Sequence, residues 1–169
     1  MKLLISEFIF YYKMIIAVAT ETKGEAFFGF MGVVFALILC NFGAAYGTCK
    51  SSIGISFSGI RFPDKIMKSV FPVIMSGILG IYGLIISVIL IQKIGKENYD
   101  YVTGYKHLGS GICCGLASLG SGLAIGIVGE AGSRALGLQD KVFVGMMLIL
   151  IFAEALGLYG VIIAIILSN

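Results

Sequence analysis

Leu148-Ile149-Leu150-Ile151-Phe152-Ala153-Glu154-Ala155-Leu156-Gly157-Leu158-Tyr159-Gly160 decides how this chain is read. The stretch lies inside an apolar run from Val142 to about Leu167, close to the ~20 residues a helix needs to cross a bilayer. Glu154 is the one charge in that run and stands near its middle. At ~1.5 Å per residue it would sit roughly 18 Å from either end, near the membrane midplane. An ionisable group at that depth costs at least ~2.5–3.5 kcal/mol on insertion scales, and such groups usually mark an ion or proton path. The plainer alternative is a protonated carboxyl bonded to a neighbouring helix.

Composition places the whole chain in the same class. Of 169 residues, 59% are hydrophobic and only 12% charged, with a mean hydropathy of +1.04. Soluble domains carry about 25% charged residues, so this is an all-α integral membrane protein. Twenty-four glycines against two prolines suit helices whose backbones approach closely in lipid. A dispersed net charge of +3 gives no basis for nucleic-acid binding. Cys40, Cys49, Cys113 and Cys114 form no CxxC and have no His at ligand spacing, so they read as helix-packing residues rather than metal ligands. His107, at the start of the third span, reads as an interfacial polar residue. The sequence holds no nucleotide-binding loop, no plausible nucleophile and no cofactor motif, which excludes catalysis of ATP hydrolysis on this chain.

Taken in order, residues 1–25 form an extension in which Ser6, Glu7 and Lys13 interrupt an apolar segment; a surface-lying or frayed helix is expected, or an extra span. Residues 26–92 read as a first helical hairpin. Its first span, Ala26 to about Thr48, carries Gly29, Gly32, Ala36, Cys40, Gly43, Ala44 and Gly47 at helical spacing, the small-xxx-small pattern of close helix packing. A polar connection is expected over 49–69, then a bulkier span from Val70 to about Ile91 with Pro72 in its first turn. Residues 93–105 form a connecting loop, and 106–169 a second hairpin. The third span, Lys106 to Gly129, repeats the small stripe with Gly111, Gly115, Ser118, Gly122 and Gly126. Glu130 is expected at its end, solvated or paired with Arg134. The Lys and Arg count is six on each side of the membrane, so the positive-inside rule leaves orientation open.

The chain is one hairpin written twice. Ile78–Ile86 matches Ala155–Ile163 at an offset of 77, and Gly32, Gly43 and Gly47 match Gly111, Gly122 and Gly126 at an offset of 79. Each hairpin returns the chain to its starting side, so the copies are parallel repeats. Glu154 aligns with Gly77, leaving the first copy without a membrane carboxyl. Small stripes on alternate helices also suit a ring, where helices near an axis must crowd; an ordinary four-helix bundle is the alternative.

These features resemble the c-type (c or c-prime) proteolipid subunits of eukaryotic vacuolar proton-pumping ATPases. The resemblance rests on Ala26–Phe30, Gly43–Thr48, Pro72–Gly83, Ala124–Gly129 and Phe143–Glu154, and covers about residues 26–169. The departures are the N-terminal extension, Ala26 where relatives often have Pro, and Glu130 where Asp is more usual. The resemblance implies a rotating ring of copies of this chain and related proteolipids in lipid, with the first and third helices inside. It implies a stator subunit bearing an essential arginine, a central-stalk subunit on the cytosolic side, and Glu154 as the proton-binding residue. It further implies membranes of vacuolar or endolysosomal acidic organelles, with the connections 49–69 and 130–141 in the cytosol. Low dielectric disfavours a bare charge, so a lipid-facing Glu154 is expected to be neutral, and to release its proton near the stator cation. Sodium-carrying relatives place Thr and Gln where this chain has Ile78 and Leu79, which offer no oxygen ligands, so protons are favoured. The rival is a passive pore or structural membrane scaffold, for which Glu154→Gln would change nothing. An ATP-synthase-type ring of single hairpins, each with its carboxyl, fits the duplication less well.

Overall fold

The computed structural model describes residues 24–94 and 99–169. The reading of residues 1–23, and Lys96 and Glu97 of the connecting loop, lie outside them. Among the described residues four helices are long and apolar enough to cross a membrane: α1 (Gly24–Arg61), α2 (Pro63–Lys93), α3 (Tyr101–Leu138) and α4 (Val142–Ser168). Within α2, a 3-10 turn (Pro63–Lys65) and one helical turn (Ile66–Ser69) lead through Val70 into the main helix, Phe71–Lys93. Pro63 and Pro72 each fall in the first turn of a helical segment, where the missing N–H has no partner to lose.

The helices form two layers. α1 lies along α3, while α2 packs on α1 and α4 on α3. Lipid tails are as apolar as leucine, so close packing and interhelical hydrogen bonds must hold such a bundle together. The α1–α3 seam is built from the small stripes. A Cβ added to Gly111 would strike the backbone of Gly32, and one added to Gly122 the backbone of Gly43. Cys40 and Cys114 meet across this seam with their sulfurs 3.7 Å apart, both fully buried. Ile74, Ile81 and Leu84 of α2, and Leu148, Phe152 and Ile163 of α4, point outward, as a lipid-facing layer requires.

Four serine hydroxyls tie the layers. Ser76 donates to the Ala44 carbonyl (2.7 Å) and Ser87 to that of Val33 (3.1 Å). Ser110 donates to the Ala164 carbonyl and Ser121 to that of Ala153, both at 2.7 Å. Each such bond contributes about 0.6 kcal/mol on average in a membrane protein.

Two sequence expectations need correction. The segment 49–61 is not a loop: α1 continues through it to Arg61, and α3 likewise continues past Gly129 to Leu138. Their small residues, read as connection, extend the seam instead. Ser51, Gly54 and Ser58 are buried, and a Cβ on Gly54 would meet the Glu130 backbone at 2.6 Å. Glu130 is accordingly inside α3 rather than at its end, paired with Arg134 (2.6 Å) and Lys50 (3.4 Å). Beside it, Lys65 donates to the carbonyls of Leu136 and Gly137, satisfying acceptors that the end of α3 leaves open.

The opposite end is also tied. Lys93 donates to the Ser168 carbonyl and to Asn169 Oδ1, both at 2.6 Å, joining the ends of α2 and α4. His107, read from the sequence as an interfacial polar residue, is fully buried within the protein, with Nδ1 2.9 Å from the Tyr99 hydroxyl.

Candidate functional site

The position of Glu154 follows from the pattern of α4. Leu150, Ala153, Gly157 and Gly160 face inward against α2 and α3, while Ile151, Phe152, Leu158 and Tyr159 are exposed. Glu154 sits at the border of the two faces, half-buried. Its side chain turns inward. Both carboxyl oxygens are buried, and neither has a hydrogen-bond partner among the described residues. The Tyr82 hydroxyl of α2 stands next to the carboxyl without closing a hydrogen bond to it.

The walls are apolar. Leu79 from α2, Ile125 from α3, and Met146, Leu150 and Ala153 from α4 form one buried cluster, with Met75 and Tyr82 packed against it. Leu79 and Ser121 press on α4 at Gly157, where an added Cβ would stand 2.9 Å from Leu79 Cδ2 and 3.4 Å from Ser121 Oγ. Ser121 spends its proton on the Ala153 carbonyl, one residue before the carboxyl.

Among the described residues no cation pairs with Glu154; the ion pairs all involve Glu130 or Asp140. No group of His, Cys, Asp and Glu among those residues could hold a metal ion. The site therefore offers one carboxyl in an oily seat, with a phenol beside it. Such a group can hold a proton unaided. It can release one only where something beyond the described residues stabilises the anion.

Sequence reading located Glu154 but not its neighbours. Tyr82 lies in the repeated Gly-x-Tyr-Gly segment, whose signal is similarity between the copies rather than placement beside the carboxyl. Ser121 lies beside the small stripe, and its signal was the hydroxyl itself: a buried serine in an apolar helix must find an acceptor. At Gly77, the counterpart of Glu154, an added Cβ would meet nothing within 4 Å. Packing therefore does not demand a glycine there.

Comparison with known proteins agrees with this architecture. The family of the ATP synthase C subunit matches the chain twice, over residues 31–90 and 108–167, once per hairpin. The chain is also 57% identical to the V-type proton ATPase 16 kDa proteolipid subunit of Chrysotila carterae over 148 residues, which cover 85% of this chain and 90% of that protein. Four lipid-compatible helices, a twofold internal match and this identity together place the chain in the ATP synthase C-subunit family, among the proteolipid subunits of V-type proton ATPases.

Proposed function

We propose that this chain is the proton-carrying subunit of the rotary membrane ring of a V-type ATPase, and that Glu154 takes up and releases the proton. It is an integral, multi-pass protein of acidic-organelle membranes, and it is not catalytic: ATP is hydrolysed on other subunits. One observation supports the assignment of Glu154: a carboxyl near the middle of the apolar helix α4 with both oxygens buried and unpartnered among the described residues.

An ionised carboxylate in that seat would cost several kcal/mol for want of any partner, whereas the protonated form forfeits only its hydrogen bonds. The loaded carboxyl can therefore turn through lipid as a neutral group. Discharge needs water and a cation, which a stator subunit with an essential arginine supplies. Reloading needs access from the cytosolic side. Each proton moved against 100 mV requires about 2.3 kcal/mol, which the turning delivers. The fully buried Leu79, in the apolar cluster that includes Ala153, offers no oxygen to a sodium ion, which supports protons as the cargo. The ring is made of copies of this chain and related proteolipids. A central-stalk subunit is expected at the end bearing Glu130, Arg134 and Asp140, which faces the cytosol in this reading.

Carbodiimide labelling tests the assignment. Modification in sealed vesicles should concentrate on Glu154 and stop acidification in proportion. Full labelling of Glu154 with acidification intact would refute the carrier role and restore the scaffold reading.

A further inference from the structure

We propose that Ser121 is a positioning residue for Glu154, fixing the height and rotation of α4 at the level of the carboxyl through its hydrogen bond to the Ala153 carbonyl. The proposal rests on the reading of Glu154 as the proton-binding group. Ser121 is 1% exposed, and its Oγ is 2.7 Å from the carbonyl one residue before Glu154. The same hydroxyl faces Gly157, one turn further on, where an added Cβ would stand 3.4 Å from it. Glu154 itself has no hydrogen bond that could hold it. Its placement must come from the backbone that carries it, and Ala153 is where that backbone is tied to α3.

The chemistry of the tie suits a group that cycles between charged and neutral. A bond from Tyr82 to the carboxyl would change strength with each proton gained or lost. A serine hydroxyl on a peptide carbonyl ionises at neither end, so it holds α4 in one place whether the site is loaded or empty. α4 has a second tie of the same kind, from Ser110 to the Ala164 carbonyl at 2.7 Å. That bond lies about three turns away, too far to set the carboxyl. It serves as the internal control.

The test uses the assembled ATPase in vesicles. The rate at which dicyclohexylcarbodiimide modifies Glu154 is followed by mass spectrometry at an acid pH where the wild-type rate has reached its plateau. Ser121→Ala should raise that rate about threefold or more, the factor for losing one interhelical bond, as the carboxyl spends more time out of its seat. Ser121→Cys, which is somewhat larger and a weaker donor, should raise it in the same direction, and Ser121→Thr, which keeps the hydroxyl, should restore the wild-type rate. Ser110→Ala should leave it unchanged. Wild-type rates in both Ser121→Ala and Ser121→Cys overturn the proposal, as does an equal rise in Ser110→Ala, which would make both serines general helix ties. If Ser121→Ala does not assemble, the Cys and Thr variants decide. Wild-type labelling without loss of acidification would overturn the carrier reading and this proposal together, and is distinguished by needing no variant.

Discussion

In the first hairpin the tying hydroxyls belong to the bulky helix, where Ser76 and Ser87 of α2 reach the carbonyls of Ala44 and Val33; in the second they belong to the small-residue helix, where Ser121 and Ser110 of α3 reach those of Ala153 and Ala164. The partners are 32 and 54 residues apart in both hairpins. At the offset of 77 that aligns α2 with α4, Ser76 and Ser87 fall on the acceptors Ala153 and Ala164; at the offset of 79 that aligns α1 with α3, Ser121 and Ser110 fall on Phe42 and Met31, two residues before the acceptors Ala44 and Val33. The duplication has kept where α2 and α4 are bonded, shifted the partner position by two residues between α1 and α3, and exchanged which helix donates. In the copy that carries the carboxyl, the outer helix shows alanine to its partner at both ties. The hydrogen bond to the backbone beside Glu154 comes from α3, and Glu154 is the one carboxyl on α4.

The largest effect expected from this contrast separates the two aligned positions themselves. Glu154→Gln should abolish acidification while the complex still assembles, and Glu154→Asp should retain a reduced rate because its carboxyl is one methylene short of the seat. Gly77→Ala, which adds a methyl group to open space, should leave pumping within error of wild type. A pumping defect in Gly77→Ala equal to that of Glu154→Gln would erase the distinction between the copies.

A smaller effect concerns packing. Gly122 meets the Gly43 backbone and Gly77 meets nothing, so Gly122→Val should destabilise the chain by about 1–3 kcal/mol or more, read as loss of folded protein on detergent extraction, while Gly77→Val costs the chain's own packing little. Equal yields for the two variants would show that the α1–α3 seam is looser than described.

The smallest effect lies where the hairpins are joined. Burial raises the Tyr99 phenol from its usual 10.0 to about 12. The unfolded chain therefore loses this proton first, and the stability Tyr99 contributes is complete below pH 10 and lost as pH climbs toward about 12. Alkaline hydrogen exchange near His107 should show that loss in the wild type and not in Tyr99→Phe. Identical alkaline profiles would detach Tyr99 from the stability of this end.

Much of this was legible in the residues. Hydropathy alone gave four spans, self-comparison gave two hairpins, and the apolar run around Glu154 gave its place near the middle of α4. The helix lengths were not legible, because glycine and serine between Cys49 and Arg61 signal a loop as strongly as they signal close packing. Only the partner helix decides between these, and the far half of α3 supplies it. The burial of His107, the meeting of Cys40 with Cys114, and the bond from Ser121 all depend on the rotation of one helix against another. Periodicity reports which face is apolar but not which residue lies opposite.

The overrun of α1 and α3 past Thr48 and Gly129 has a mechanical consequence. Each is 38 residues long, about 57 Å of unbroken helix, against a hydrocarbon layer of about 30 Å. Glycine contacts lock the two rods along much of that length. A grip on their projecting ends would thus bear on stiff shafts that run without a joint to the depth of the acid, and twist applied outside the lipid would arrive there undiminished by any flexible link.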